Sequence, residues 1–154
     1  MPIDIRHVVT LYPQPTSMTC WSAAATMLFG DRCVGAGSAV TGPTGGLSTS
    51  FQNIQAFADS HGLILHAPQT WTVEGLADLL RGGPLWVGGW VPTGHAYVIA
   101  AMKGDGTPGE TYITIYDPWP PGVGQIRRVA YGNWIATYPM ATAYILQRPL
   151  HVML

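Results

Sequence analysis

Apolar residues in the first half of the chain recur with the spacing of amphipathic helices. Within residues 48–61, Phe51, Ile54 and Phe57 fall three positions apart, which places them on one face of a helix. Residues 23–25 are three consecutive alanines, the residue type with the highest helix propensity. On these grounds three helices are predicted: Cys20–Phe29, Ser48–His61 and Thr72–Leu80.

The ends of these segments carry helix start and stop signals. Thr19 or Ser17 is expected to cap the first helix, and Thr72 the third, because hydroxyl side chains accept from the free N–H groups of a first turn. Gly30 and Gly62 are expected to end the first and second helices, since glycine adopts the left-handed conformation common after a helix.

From Leu85 onward the pattern changes to short runs rich in β-branched and aromatic residues, separated by Gly and Pro. Five strands are predicted: Leu85–Val91, His95–Met102, Thr111–Tyr116, Gln125–Tyr131 and Ala143–Gln147. Lys103–Glu110 is expected to be a hairpin turn and Asn133–Tyr138 a helical turn. Helices followed by an antiparallel sheet give an α+β fold, expected to form a single domain over residues 1–154.

Composition and charge exclude several classes of partner. Charged residues make up only 10% of the chain, against roughly 25% in an average protein. The net charge of −1 and the pI near 6.5 give no basic surface for nucleic acid or an anionic membrane. No run approaches the roughly 18 apolar residues of a membrane span. Met1–Thr10 is too polar for a classical signal peptide, so secretion would need a dedicated secretion system.

Cysteine and histidine positions predict neither a disulfide nor a metal site. Cys33 lies beyond the far end of the helix that Cys20 is expected to open, too far for a bridge, so both thiols are predicted to be free. No His/Cys/Asp cluster has ligand spacing, and no glycine-rich phosphate loop follows a strand. We therefore expect no metal and no cofactor.

Cys20 stands at a position that suits a nucleophile. A thiol in the first turn of a helix feels the positive end of the helix dipole, which favours the reactive thiolate. Gln14 lies in the loop upstream, where its amide can fold back and donate to an oxyanion beside Cys20, with the Cys20 backbone N–H as second donor. Trp21 follows at once. Taken singly, each of these residues would be ordinary core or loop.

This Gln-x5-Cys-Trp pattern resembles the papain-like cysteine peptidases, in which an oxyanion glutamine precedes the Cys-Trp that opens a central helix. Residues 17–19 are Ser-Met-Thr, not the Cys-Gly-Ser of the cathepsin branch, so the small bacterial branches are more similar. Those include type III effector peptidases, staphopain-like enzymes and bacteriocin-processing peptidase domains. The resemblance implies a central catalytic helix packed on an antiparallel sheet.

The same resemblance selects His95 as the base. Among five histidines, His95 is the one that follows a Gly and opens an apolar strand, as the family's catalytic histidine does. The separation of Cys20 and His95 is much shorter than the roughly 130–150 residues of the large enzymes. The loops that shape the substrate cleft must therefore be short, and substrate specificity cannot be carried over.

Asp117 is the expected third member of the triad. It ends the strand after His95, where the family has Asn or Asp, often followed two residues later by a shielding tryptophan. Trp119 matches that tryptophan, and Trp21 and Trp119 are both candidate substrate-binding residues. On its own, Asp117 before Pro118 would be read as a turn initiator.

The sequence thus predicts a cysteine peptidase with a Cys20–His95–Asp117 triad and a Gln14 oxyanion hole. We expect a bacterial secreted effector or toxin domain, with a protein or peptide substrate and a cognate immunity or inhibitor protein as partners. Alternatives are a deamidase, transglutaminase or peptidoglycan amidase on the same triad, or a catalytically silent binding module. Cell-wall amidases of the NlpC type begin Cys-Ser-Gly, whereas this chain has Cys20-Trp21-Ser22.

Overall fold

A single antiparallel sheet of seven strands runs through the computed structural model, which describes residues 2–30, 33–43, 45–48, 50–89, 95–137 and 143–149. Its strands are β1 (Ile3–Arg6), β2 (Ile64–His66), β3 (Leu85–Gly89), β4 (His95–Gly104), β5 (Thr111–Asp117), β6 (Gln125–Ala130) and β7 (Tyr144–Gln147). Its helices are α1 (Cys20–Phe29), α2 (Phe51–Ser60), α3 (Val73–Arg81) and α4 (Tyr131–Thr137).

The strands lie in the order β2-β7-β3-β4-β5-β6. β4 is the longest strand and has two partners on one edge. β3 pairs with its first half, from Gly89 opposite His95 to Leu85 opposite Ile99. β1 pairs with its second half, and β5 occupies the other edge. His95 therefore starts a strand in the middle of the sheet.

Helices cover both faces of the sheet. On one face, α1 and α2 pack with Trp86, Val98 and Leu146 in a buried cluster. On the other, α3 and α4 pack with Val87, Ile99 and other side chains that alternate with the first set. Alternate residues of a strand point to opposite faces, so the nearly unbroken apolar runs of β3 and β4 fit a sheet buried on both sides.

The central helix α1 is apolar around most of its circumference because it is buried from several directions. Its buried residues are Trp21, Ala23, Ala24, Ala25, Met27 and Leu28. Alanines let the helix approach the sheet closely, where it packs mainly on β4. The helix ends at Gly30, whose φ of 80° is left-handed, as expected. None of the helices within the described ranges is long and apolar enough to cross a membrane.

The α+β class and the helix-on-sheet arrangement are confirmed, and α1 has the predicted bounds. One detail is wrong: Thr19 occupies the N-cap position, but its side chain makes no capping bond. Its hydroxyl lies 3.0 Å from that of Thr16, within the loop, so it is not available to the helix. Thr72 does cap α3, accepting from the Gly75 N–H.

Most other bounds differ from prediction by one to three residues. α2 begins at Phe51 with Ser50 as its cap, and α4 is a full helix from Tyr131 where a helical turn was predicted. β4 continues to Gly104, which shortens the hairpin turn. The predicted residues Trp90, Val91 and Tyr138 lie outside the described residues.

Two strands were not predicted. β1 has the sequence Ile-Asp-Ile-Arg, with Ile3 buried, so its alternating pattern is the signal that could have revealed it. β2 has three residues and owes its conformation to pairing with β7. A strand this short carries too few positions for a pattern, so no sequence signal was available.

Asn53 holds the loop that follows α1 against α2. Its side chain accepts from the Val40 N–H at 2.7 Å and donates to the Val40 and Ser48 carbonyl oxygens at 2.8 and 2.9 Å. The Asn53 side chain is buried, so the three bonds form partly out of water. Buried amides that satisfy loop backbone groups in this way fix the path of the loop.

We predict that Asn53→Ala lowers the free energy of unfolding by about 2 kcal/mol, because three loop backbone groups lose the partner that a buried amide supplies. Urea unfolding followed by circular dichroism measures the change. Gln52→Ala, on the exposed side of the same helix, is the control and should lie within about 0.5 kcal/mol of wild type. Equal stability of the two variants would contradict the role of Asn53 in holding the loop after α1.

Candidate active site

Cys20 is the first residue of α1 and is half-buried. The helix runs into the core, and its N-terminal end lies at the end of the sheet where β4 begins. Cys33, by contrast, is exposed, and both thiols are free. The helix N-terminus supplies a positive end to the dipole at the position of the Cys20 sulfur.

His95 and Asp117 lie at the same end of the sheet because β4 starts with the one and its neighbour β5 ends with the other. Nε2 of His95 is 2.6 Å from Oδ1 of Asp117. An ionised carboxylate only accepts hydrogen bonds, so Nε2 carries the proton of this bond. Nδ1 is then the ring nitrogen left for Cys20.

A bulge in β4 puts the two side chains on one face. The register of β4 on β5 shifts by one residue between Ile99 and Ala101. A shift of one residue exchanges the faces of a strand. If the register that holds from Ala101 to Gly104 continued towards His95 without the shift, Asp117 would lie on the face of the sheet opposite to His95. The bulge is therefore part of the site's construction, as bulges near active sites often are.

The pKa of His95 reflects its two partners. Burial alone would lower it, but hydrogen bonds to Asp117 and Cys20, with the negative charges on both, raise the pKa from 6.5 to about 9. The imidazole is thus held in its protonated form at neutral pH. A cationic histidine beside the cysteine sulfur is the arrangement that stabilises a thiolate nucleophile.

Asp117 is almost fully buried, with 4% of its surface exposed, and its two oxygens accept three bonds. Oδ1 accepts from His95 and, at 3.0 Å, from the Trp119 N–H. Oδ2 accepts from Nη2 of Arg127, also at 3.0 Å. Burial raises the pKa of this carboxyl, but the bonds to His95 and Trp119 and the charge of Arg127 outweigh it and hold the pKa below its usual range.

Gln14 is fully buried in the loop before α1. Its backbone N–H donates to the Pro118 carbonyl oxygen at 3.0 Å, and its own carbonyl accepts from Gly122 at 2.9 Å. Nε2 donates to the Thr16 carbonyl oxygen at 2.7 Å, which uses one of its two hydrogens. The loop that carries Gln14 is thereby fastened to the loop that follows Asp117.

The two tryptophans have different environments. Trp21 is buried edge-on against Phe57 and donates from Nε1 to the Gly45 carbonyl oxygen at 2.9 Å, so it holds a loop and contributes to the core. Trp119 is 44% exposed beside Asp117. Trp119 thus has a surface open to a ligand, while Trp21 has little.

A pocket of about 180 Å³ opens beside Cys20 and His95. Its wall is mainly apolar, and its other lining residues are Ser17, Met18, Trp21, Gly46, Leu47, Ile54, Trp86, Gly88, Gly89 and Ala96. A larger cavity, about 700 Å³, lies at the far end of α1 near Gly30 and contains none of the candidate catalytic residues. No cluster of metal-ligating side chains occurs within the described residues.

The structure therefore brings together Cys20, His95 and Asp117, the residues that the sequence singled out, with the Gln14 loop fastened to the segment after Asp117. Sequence reasoning missed Arg127 and the pocket-lining residues from the loop after α1. Only the register of β6 on β5 reveals the contact of Arg127 with Asp117, since Arg127 lies opposite Ile115, two residues before Asp117. Burial of Asp117 was a reason to look for such a cation.

A thiol, an imidazolium and a buried carboxylate in this order can attack a carbonyl carbon and protonate the leaving group, as in a papain-like cysteine peptidase. A solved structure with a similar fold is UfSP from C. elegans, with a TM-score of 0.52 and 14% sequence identity. The match covers 99% of this chain and 35% of that chain, so this chain spans about a third of its length. At this identity the likeness shows the fold.

A family model described as papain-like cysteine protease AvrRpt2 matches residues 3–139. The chain belongs to that family of papain-like cysteine proteases. Among curated proteins, none matches the chain.

We predict that NMR titration of the His95 imidazole in the wild-type protein gives a midpoint near pH 9. In Asp117→Asn the midpoint should fall by about 1–3 pH units, because the negative charge that favours the imidazolium is gone. Asp78→Asn, which changes an exposed carboxylate paired with Arg81, should leave the midpoint unchanged. An unaltered midpoint in Asp117→Asn would contradict the assigned pair.

Proposed function

We propose that the chain cleaves peptide bonds with Cys20 as nucleophile, His95 as general acid and base, and Asp117 as the group that orients His95. The observation that carries the proposal is the bond of His95 Nε2 to Asp117, which leaves Nδ1 for Cys20, the second neighbour that raises the pKa of the imidazole. This geometry fixes the tautomer that the chemistry requires.

The reaction proceeds in two halves. The Cys20 thiolate attacks the carbonyl carbon of the substrate, and the C–N bond breaks as protonated His95 gives its proton to the leaving amine. His95, now neutral, takes a proton from the water that attacks the thioester, and the C–S bond breaks to release the carboxylic acid and the Cys20 thiolate beside protonated His95. The pKa of about 9 keeps His95 ready as the acid of the first half at neutral pH.

Gln14 is the proposed side-chain donor to the tetrahedral oxyanion, together with the Cys20 backbone N–H. The Thr16 carbonyl holds one hydrogen of the Gln14 amide, which fixes the direction of the second. The backbone bonds of Gln14 to Pro118 and Gly122 hold the residue in place, and donors held in place need little reorganisation when charge develops.

The apolar pocket beside Cys20 sets the substrate class. Among the described residues, its wall of Met18, Leu47, Ile54 and Trp86 has no charged side chain apart from the proposed base His95, so it favours a hydrophobic side chain close to the scissile bond. Exposed Trp119 offers a second apolar contact on the side of Asp117. Protein or peptide substrates with hydrophobic residues around the cleaved bond fit both features.

We predict that Cys20→Ala lowers peptidase activity on denatured casein by about 10⁴-fold or more, since the covalent step is lost. Gln14→Ala should lose about 10²- to 10³-fold, the effect of removing one oxyanion donor. The exposed-thiol variant Cys33→Ser is the control and should keep wild-type activity. Mass spectrometry of the products identifies new N-termini.

The product analysis also separates the alternatives. Release of ammonia from intact chains, with no new N-termini, would support a deamidase and overturn the peptidase. Activity that survives in Cys20→Ala would overturn the nucleophile assignment for any acyl transfer on this triad.

We further propose that the peptidase acts as a bacterial effector or toxin, delivered into a target cell by a dedicated secretion system. The family carries the name of AvrRpt2, and the free, exposed thiol of Cys33 fits a reducing compartment. An inhibitor or immunity protein in the producing cell would then block the site around Cys20.

Expression inside bacterial and eukaryotic host cells tests the effector role. We expect the wild-type chain to slow growth in at least the target host, because uncontrolled cleavage of cell proteins is harmful, and Cys20→Ala at equal protein level to be harmless. Equal growth with both forms in every host would argue against a toxin.

A further inference from the structure

Arg127 belongs to the site through the geometry of the sheet. In the β5–β6 ladder it lies opposite Ile115, so its side chain is on the same face of the sheet as Asp117, two residues further along β5. Diagonal neighbours of this kind are about 7–8 Å apart at their backbones, a distance that a long side chain spans. Its guanidinium reaches Oδ2 of Asp117 at 3.0 Å.

We propose that Arg127 is a positioning residue of the peptidase, which acts on His95 by fixing both oxygens of the Asp117 carboxylate. The inference rests on the proposed function, in which Asp117 orients His95. Arg127 itself does not touch the substrate in this role. Arg127 binds the Asp117 carboxylate, and it influences the reaction by the effect of that carboxylate on the orientation of His95.

The physical need for such a residue lies in the torsion of the aspartate. The last torsion of an Asp side chain is broad and nearly two-fold, so the carboxylate is easily rotated unless both oxygens are held. Oδ1 is held by His95 and the Trp119 N–H, and Oδ2 by Arg127. Because the bond of Oδ2 to Arg127 prevents rotation of the carboxylate, Oδ1 stays in position to accept the hydrogen bond from His95.

Burial strengthens this coupling. The Asp117 side chain is 5% exposed and that of Arg127 29% exposed, so their bond is formed largely out of water. A buried carboxylate without a cation tends to take up a proton, and a protonated Asp117 would no longer accept fully from His95. Arg127 therefore adds its charge to that of protonated His95, which together keep the carboxylate ionised as the pH falls.

The neighbouring residue supplies a matched control. Arg128 lies opposite Thr114, on the other face of β6, and its guanidinium stacks over the Tyr112 ring 4.6 Å from the ring centre. Arg127 and Arg128 are both arginines of β6, but their side chains lie on opposite faces of the sheet. If the loss of a positive charge or a weakened β6 caused the effect, substitution of either arginine would show it. If the effect arises at Asp117, only substitution of Arg127 would show it.

The test compares Arg127→Gln, Arg127→Lys and Arg128→Gln by casein cleavage across pH, at a temperature at which thermal melts show each to be folded. We expect Arg127→Gln to lose about 10- to 100-fold in kcat with KM within about twofold, since geometry and not binding is changed. On the acid side, its activity should fall at a slightly higher pH than in wild type, because Asp117 loses one of the two positive charges beside it and takes up a proton sooner. Arg127→Lys should recover part of the loss, and Arg128→Gln should stay within about twofold.

A double-mutant cycle decides whether Arg127 acts through Asp117. In the Asp117→Asn background, Arg127→Gln should cause no further loss in kcat, since the group it positions is already disabled. Fully additive losses, or equal effects of Arg127→Gln and Arg128→Gln, would overturn the proposal. These outcomes are distinct from a failure of the proposed function, which would show as activity in Cys20→Ala.

If Arg127→Gln does not fold, Arg127→Lys and the NMR titration of His95 still decide the question. A lysine keeps one charge but loses the fixed planar fork, so a folded Arg127→Lys should show a reduced kcat and an altered resonance for the His95 Nε2 proton. A wild-type kcat together with a wild-type resonance of the His95 Nε2 proton would count against Arg127 as a positioning residue.

Discussion

The register of β4 on β5 is the constraint on which the site depends. β4 begins at His95 and β5 ends at Asp117, so one antiparallel pairing sets the two residues at a single end of the sheet. The one-residue bulge between Ile99 and Ala101 then decides that both side chains point to the same face. On the His95 side of the bulge, residues 96–99 are buried apolar side chains that alternate between the two faces, so a slip of the register would exchange two buried sets.

Cys20 reaches this pair from the other layer. α1 lies on the face of Ala96 and Val98, and its alanines let the helix axis approach the sheet so that its first residue comes beside the start of β4. The helix owes its place to burial around most of its surface and not to a strong cap, since the side chain of Thr19 bonds within the loop. Packing of α1 on β4 therefore positions the nucleophile, while strand pairing positions the base and its partner.

The sequence was sufficient for the parts of the molecule that carry local patterns. The α+β class, the bounds of α1 and the papain-like assignment followed from three alanines, the Gln-x5-Cys-Trp pattern and the strand that begins with His95. Contacts set by strand register could not be predicted in the same way. The bulge contains only ordinary apolar residues, β2 has three residues, and the bond of Arg127 to Asp117 requires the β5–β6 pairing to be known.

The loop that carries Gln14 and the loop that follows Asp117 are tied to each other by backbone hydrogen bonds. Gln14 exchanges backbone bonds with Pro118 and Gly122, so the proposed oxyanion donor and the loop after Asp117 form one unit. Gly124 closes that loop with a φ of 66°, where a Cβ would lie 3.2 Å from the Asp117 carbonyl oxygen. Because backbone bonds do not depend on side-chain identity, changes to the outer side chains of these two loops leave the bonds in place. The fixed positions of Gln14 and Asp117 therefore depend on the backbone of the loops and not on the side chains that face solvent.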